Sequence, residues 1–174
     1  KSQLWFAMNL FVTKICRSVL QDKTTKKKET ITISKTMISV KELAKEAKKA
    51  SKELSLVSTE QKNSALVAMA KNIRDKEVEI LRENEKDLVA GKEKGYDQAL
   101  LDRLALTTER IEGMAKGLED LTNLTDPVGN VVSNRTLDNG LDVEKVTVPL
   151  GVIGMIYEAR PNVTVDATGI ALKS

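Results

Sequence analysis

The run GVIGMIY at residues 151–157 carries no charge, and it breaks at once into the polar string EARPN at 158–162. A run of that length is short for a helix and suits a strand buried on both faces, as in a parallel sheet. Gly151 and Gly154 remove side chains where neighbouring backbone or a ligand comes close. Pro161 sets its own φ and holds Arg160 extended, which makes the turn stiff. Beyond it, Val165, Gly169, Ile170 and Leu172 mark a largely uncharged helix, capped by Thr164 or Asn162, that runs to Ser174. Strand, elbow and helix form the repeating unit of α/β proteins, which place ligands at the carboxyl ends of their strands. On spacing alone two readings stay open. One is an ordinary turn with a capping Asn and an ion-paired Arg; the other is an elbow that faces a ligand.

Upstream the period is helical. Val40, Leu43, Ala44, Ala47, Ala50 and Leu54 recur on one face of an expected helix over 40–54. Lys41, Lys45, Lys48, Lys49 and Lys52 form its other face, interleaved with Glu42, Glu46 and Glu53, so it reads as a solvated surface rather than a polyanion site. Ser58 and Gln61 make a capping box for a second helix, whose buried stripe is Leu66, Met69, Ala70 and Ile73. A third helix is expected over 76–94, ended by Gly95 in a left-handed cap. Its inner face holds Leu81, Asn84 and Leu88, which makes Asn84 a candidate buried polar residue that must find partners. Asp97 starts a short helix through Leu104, and Thr107 or Thr108 starts another reaching about Leu121. Four or five such helices could by themselves form a bundle.

The period changes after Asp126, Pro127, Val128 and Gly129. VVSNRTL and LDVEKVTVP read as strands, and Asp138, Asn139 and Gly140 between them supply the positive-φ positions of a tight hairpin. Exposed hairpin strands need pairing or cover. On the residues alone the hairpin, at about 130–150, reads as an edge of the same domain.

Charge narrows the function classes. Residues 1–36 carry eight Lys/Arg against two Asp/Glu, a net +6, and residues 37–174 carry twenty against twenty-three, a net −3. The mildly acidic main body does not support a nucleic-acid surface. With no His and a single Cys, Cys16, an intrachain disulfide and metal sites built on His or paired Cys are excluded. The apolar stretch at 4–12 is too short to span a bilayer, and no small-residue cleavage site follows it. Residues 1–36 therefore read as a peripheral amphipathic anchor or as sequence from upstream of a start at Met37. Disorder or loose helix is expected there.

The string GVIGMIYEARPNVTVDATGIALKS, with YEARPNVT its most distinctive part, resembles the segment opening the cofactor-binding domain of the γ-glutamyl phosphate reductase (glutamate-5-semialdehyde dehydrogenase) family, in the aldehyde dehydrogenase superfamily. ILRENEKDLVAGKEKGYDQALLDRLALTTERIEGMAKGLEDLTNLTDPVG is similar to that family's helical region, and RTLDNGLDVEKVTVPLGVIG to its hairpin. The likeness runs from about Met37 to Ser174. It implies an α/β fold: a helical N-terminal region and a β-hairpin arm leading into the first strand and helix of a Rossmann-like domain cut at Ser174. Residues 1–36 form a non-family extension.

The implied reaction is NADPH-dependent conversion of γ-glutamyl phosphate to glutamate 5-semialdehyde and phosphate, in cytoplasmic proline biosynthesis, with glutamate 5-kinase functionally upstream. Homo-oligomerisation through the hairpin is implied too, with no nucleic-acid or membrane partner. By the same resemblance Asn162 is an oxyanion donor, Arg160 a substrate-binding residue, and Ile156, Tyr157 and Glu158 approach the cofactor NADP. The family's nucleophilic Cys lies downstream, so the chain by itself is expected to be inactive. A non-catalytic helical interaction module and a membrane-attached accessory protein are the competing classes.

Overall fold

The computed structural model describes residues 39–174. The extension at 1–36, with Cys16 and the expectation of disorder, lies outside the described residues.

The first helix, α1 (Val40–Leu54), begins at a capping box: the Ser39 hydroxyl accepts from the Glu42 N–H at 3.2 Å, and the Glu42 carboxylate accepts from the Ser39 N–H at 3.0 Å. Its apolar stripe was expected to face a core, yet no residue of α1 is buried, and only Leu54 packs against the core cluster. The period sets which residues share a face; it does not supply a partner for that face.

The helices α2 (Thr59–Asp75), α5 (Thr108–Thr122) and α6 (Pro161–Lys173) build the core. The expected capping box starts α2, where the Ser58 hydroxyl accepts from the Gln61 N–H and the Gln61 side chain accepts from the Ser58 N–H. Leu66, Met69, Ala70 and Ile73 are buried as their spacing requires, against Ile111, Met114, Ala115 and Leu118 of α5 and Val165 and Leu172 of α6. Each large side chain fully withdrawn from water contributes about 1.5–3 kcal/mol, so this small cluster dominates the stability of the helical layer. α3 (Glu77–Glu93) and α4 (Gln98–Leu104) flank it. Gly95 ends α3 at φ +75, and Asp97 caps α4 through the Leu100 N–H.

The strands β1 (Val131–Thr136) and β2 (Asp142–Val146) pair antiparallel from Val131 opposite Val146 to Thr136 opposite Asp142, with an irregularity between Val131 and Ser133. Of the three turn residues expected at positive φ, only Gly140 takes it, at +83. The Leu137 carbonyl accepts from the Gly140 N–H at 2.8 Å, and Leu137 donates to Leu141 at 2.8 Å. That is a type I turn followed by one left-handed residue, the usual solution for a three-residue hairpin loop, and it asks for glycine only at the last position. Both faces of β1 are exposed.

The fold departs from expectation at 151–157. The residues join no ladder, and 151–156 are exposed, Ile156 fully, while Tyr157 is half-buried. A buried strand needs neighbours on both edges and both faces. Among the described residues the only sheet is the hairpin, so the run has the composition of a strand without its environment.

Candidate functional site

The elbow is built by strain and by a proline. Ala159 sits at φ +51, a left-handed conformation that costs a non-glycine residue about 1 kcal/mol, and the chain bends there. Arg160 follows at φ −137, ψ 88, as a residue before proline must, and Pro161 occupies the first turn of α6, where its missing N–H costs nothing. The expected side-chain cap is absent: neither Asn162 nor Thr164 caps α6. Proline at the first position already sets the entry angle. Thr164 is buried and its hydroxyl meets the Tyr157 hydroxyl at 2.5 Å, while the Asn162 amide donates to the Asp166 carboxylate, one turn along, at 3.2 Å.

Arg160 and Asn162 line one cleft of about 410 Å³ between the elbow and the connection from α4 to α5. The opposite wall brings Asp102, Arg103 and Arg110. Arg110 laces that wall together, donating to the backbone carbonyls of Asp102 and Ala105 at 2.5 and 2.6 Å and pairing with the Asp102 carboxylate at 3.5 Å. A guanidinium bonded to the last carbonyls of α4 completes that helix end in the manner of a basic C-terminal residue. Ile156, Tyr157 and Glu158 are not among the cleft's lining residues. Tyr157 turns toward Thr164, and Ile156 and Glu158 project away into solvent.

The cleft thus offers guanidinium groups and an amide donor, which suit an anionic or developing negative oxygen. Its lining residues include no thiol or hydroxyl nucleophile. Sequence reading found the elbow but missed Arg103 and Arg110, because they lie on a helix end and a helix start far away in the chain. Nothing in local spacing marks them.

A second group of polar residues pins the opposite end of α6. The buried Lys62 ammonium pairs with Asp126 at 3.1 Å and donates to the Lys173 carbonyl at 3.3 Å; buried Lys173 donates to the Asn63 side chain at 2.6 Å. Burial pushes the Asp126 carboxyl up, but the Val128 N–H, Lys62 and the Thr59 hydroxyl together outweigh it and hold the carboxyl below its ordinary value.

Solved structures with a similar fold include two reductases. A crystal structure of γ-glutamyl phosphate reductase from Thermotoga maritima matches with a TM-score of 0.72 at 42% identity, over 75% of this chain and 31% of that one. The Saccharomyces cerevisiae γ-glutamyl phosphate reductase matches with a TM-score of 0.74 at 36% identity, over 80% of this chain and 35% of that one. Among curated proteins, γ-glutamyl phosphate reductase 2 of Bacillus licheniformis is 56% identical over 135 residues, 78% of this chain and 32% of the relative. The γ-glutamyl phosphate reductase of Halothermothrix orenii is 54% identical over 131 residues, 75% of this chain and 31% of the relative. No protein-family model matches the chain. The chain spans about a third of the length of the curated relatives it matches. It is homologous to the N-terminal part of the γ-glutamyl phosphate reductases.

Proposed function

We propose that this chain forms the N-terminal part of a reductase that converts γ-glutamyl phosphate to glutamate 5-semialdehyde and phosphate at the expense of NADPH, a step of proline biosynthesis. The observation that carries the reading is the 56% identity over 135 residues, 78% of this chain, to a curated reductase of that name. Residues 37–174 then form the opening part of a cofactor-binding domain of the aldehyde dehydrogenase kind. The run at 151–157 is its first strand, awaiting neighbours that the described residues do not contain, and the hairpin is its association arm.

NADPH, when bound, supplies the hydride that reduces the acyl carbon. The open run is compatible with a ligand beside Ile156, Tyr157 and Glu158: a Cβ built at Gly151 or Gly154 meets nothing within 4 Å. Asn162 donates one amide hydrogen to Asp166 and keeps the other for an oxygen that gains negative charge. Arg160 holds an anionic end of the substrate through its planar fork of donors. Thioester chemistry falls outside this chain, whose lone Cys16 lies before the family-like region.

The test replaces the matching segment of the Bacillus licheniformis enzyme with residues 39–174 and follows NADPH oxidation with γ-glutamyl phosphate. The chimera is expected to be active, and Asn162→Ala to lower its kcat on the order of a hundredfold with little change in the KM for NADPH. The isolated 174-residue chain is expected to show no turnover. A folded but inactive chimera would overturn the assignment, and an unchanged kcat would remove Asn162 from the chemistry. A second reading, a non-catalytic interaction module, draws on the uncovered apolar face of α1 and the exposed hairpin; it is the reading that the folded, inactive outcome would favour.

A further inference from the structure

The cleft between the elbow and the α4–α5 connection carries more positive charge than its own residues neutralise. Arg110 is committed to the carbonyls of Asp102 and Ala105 and to the Asp102 carboxylate. Asp166, the other acidic side chain on the cleft, is held by the Asn162 amide. Arg103 and Arg160 line the same cavity, and among the described residues neither guanidinium makes a hydrogen bond or an ion pair. Two such groups on one cavity repel each other weakly and gain together when one anion bridges them. The start of α6 opens on the same space through Pro161 and Asn162 with no side-chain cap, so the Asn162 backbone N–H adds to the attraction without being its source. At about 410 Å³ the cavity is of ligand size.

We propose that this cleft is an anion-binding pocket in which Arg103 and Arg160 together hold one phosphate or carboxylate group, with Arg110 as the positioning residue that fixes the wall carrying Arg103. The proposal rests on the reading above in taking the occupant to be the acyl phosphate substrate, whose phosphoryl group and α-carboxylate are both candidates for the grip. The binding chemistry itself follows from the cleft. Arg103 thereby becomes a specificity residue supplied by the helical layer rather than by the elbow. The elbow alone offers one arginine; the tertiary fold supplies the second.

The test uses the isotopically labelled 174-residue chain at low ionic strength, titrated with inorganic phosphate and separately with L-glutamate, with backbone amide shifts as the readout. At least one probe is expected to shift amides confined to 102–110 and 158–166 and to saturate. Saturation by phosphate alone assigns the grip to the phosphoryl end, and by glutamate alone to the carboxylate end. Arg103→Gln and Arg160→Gln, both at exposed positions, should each weaken that binding by about three- to fivefold, in keeping with single solvent-accessible ion pairs. Lys86→Gln, on the exposed surface of α3 and not among the cleft's lining residues, should leave it unchanged. Shifts spread along the lysine face of α1, no saturation with either probe, or undiminished binding in both arginine variants would overturn the pocket. These outcomes are independent of catalysis. An inactive chimera that still bound phosphate would defeat the reductase reading and leave the pocket standing; an active chimera whose segment bound neither probe would do the reverse.

Discussion

Asn84 is 1% exposed in the middle of α3, and its side chain closes two hydrogen bonds there, donating to the Leu104 carbonyl at 2.9 Å and accepting from the Leu106 N–H at 2.8 Å. Leu104 closes α4 and Leu106 lies just beyond it, where helical hydrogen bonding leaves a carbonyl and an N–H to be satisfied. Asn84→Ala should therefore destabilise the fold by about 2–4 kcal/mol, measured by urea unfolding, because two backbone groups are left buried and unpaired. A loss below 1 kcal/mol would mean that water replaces the amide at little cost. The helical spacing of Leu81, Asn84 and Leu88 was enough to place Asn84 inside and to require partners for it. Which groups those are was not legible, since they lie some twenty residues along the chain. The same holds at the cleft, where Arg160 and Asn162 announce themselves beside Pro161 while Arg103 and Arg110 look like ordinary surface arginines until the fold sets them opposite.

Elements whose ends and faces are specified locally matched the reading closely. The capping box at Ser58, the left-handed Gly95 and the Asp97 and Thr107 caps all rest on interactions within four residues. How elements meet depends on shape across them. At the crossing of α5 and α6 the absent side chain of Gly169 is what lets the helices approach: an added Cβ would lie 2.6 Å from Cδ2 of Leu118 and 2.8 Å from Cδ1 of Leu121. Leu118 is fully buried and has little room to yield. Gly169→Ala should cost about 1–3 kcal/mol of overpacking, partly offset by about 1 kcal/mol of improved helix propensity, for a small net loss in thermal stability. A rise in Tm would show that the crossing has slack. The run at 151–157 joins no ladder among the described residues for the complementary reason. Its composition meets the demands of a buried strand, but a ladder needs a second strand, and no local pattern can supply one.

At the scale of the whole molecule the fold is held at two ends of α6, by the apolar cluster along its length and by Lys62, Asp126 and Lys173 at its close. Asp126 is not alone in being held low: the Arg74 guanidinium beside Glu112 and Glu119, and Lys86 beside Glu83, lower those carboxyls too. The native state therefore binds fewer protons than the unfolded chain in the acidic range. This contribution to stability is fully present above the ordinary carboxylate range, about pH 4, and is lost as pH falls through the lowered values. Melting followed by circular dichroism from pH 7 to pH 3 should show a falling Tm below about pH 4.5, and Asp126→Asn should make that fall shallower. An unchanged acid profile in Asp126→Asn would mean that the buried pair does not couple to folding. No helix among the described residues is long and apolar enough to cross a membrane. The exposed large apolar side chains include Val40 and Leu43 of α1, Val131 and Val146 of the hairpin, and Val152, Ile153 and Ile156 beyond it. What the sequence by itself determined are the helices, the caps of α2, α4 and α5, the buried stripe of α2, the hairpin and the stiff elbow. Each follows from propensity and periodicity over a few residues. Only the tertiary structure decided that among the described residues the apolar stripe of α1 stays uncovered apart from Leu54, that a buried lysine and aspartate join α2 to the last turn of α6, and that two distant arginines share a cleft with Asn162. Those are relations between segments far apart in the chain, which packing settles and local pattern does not record.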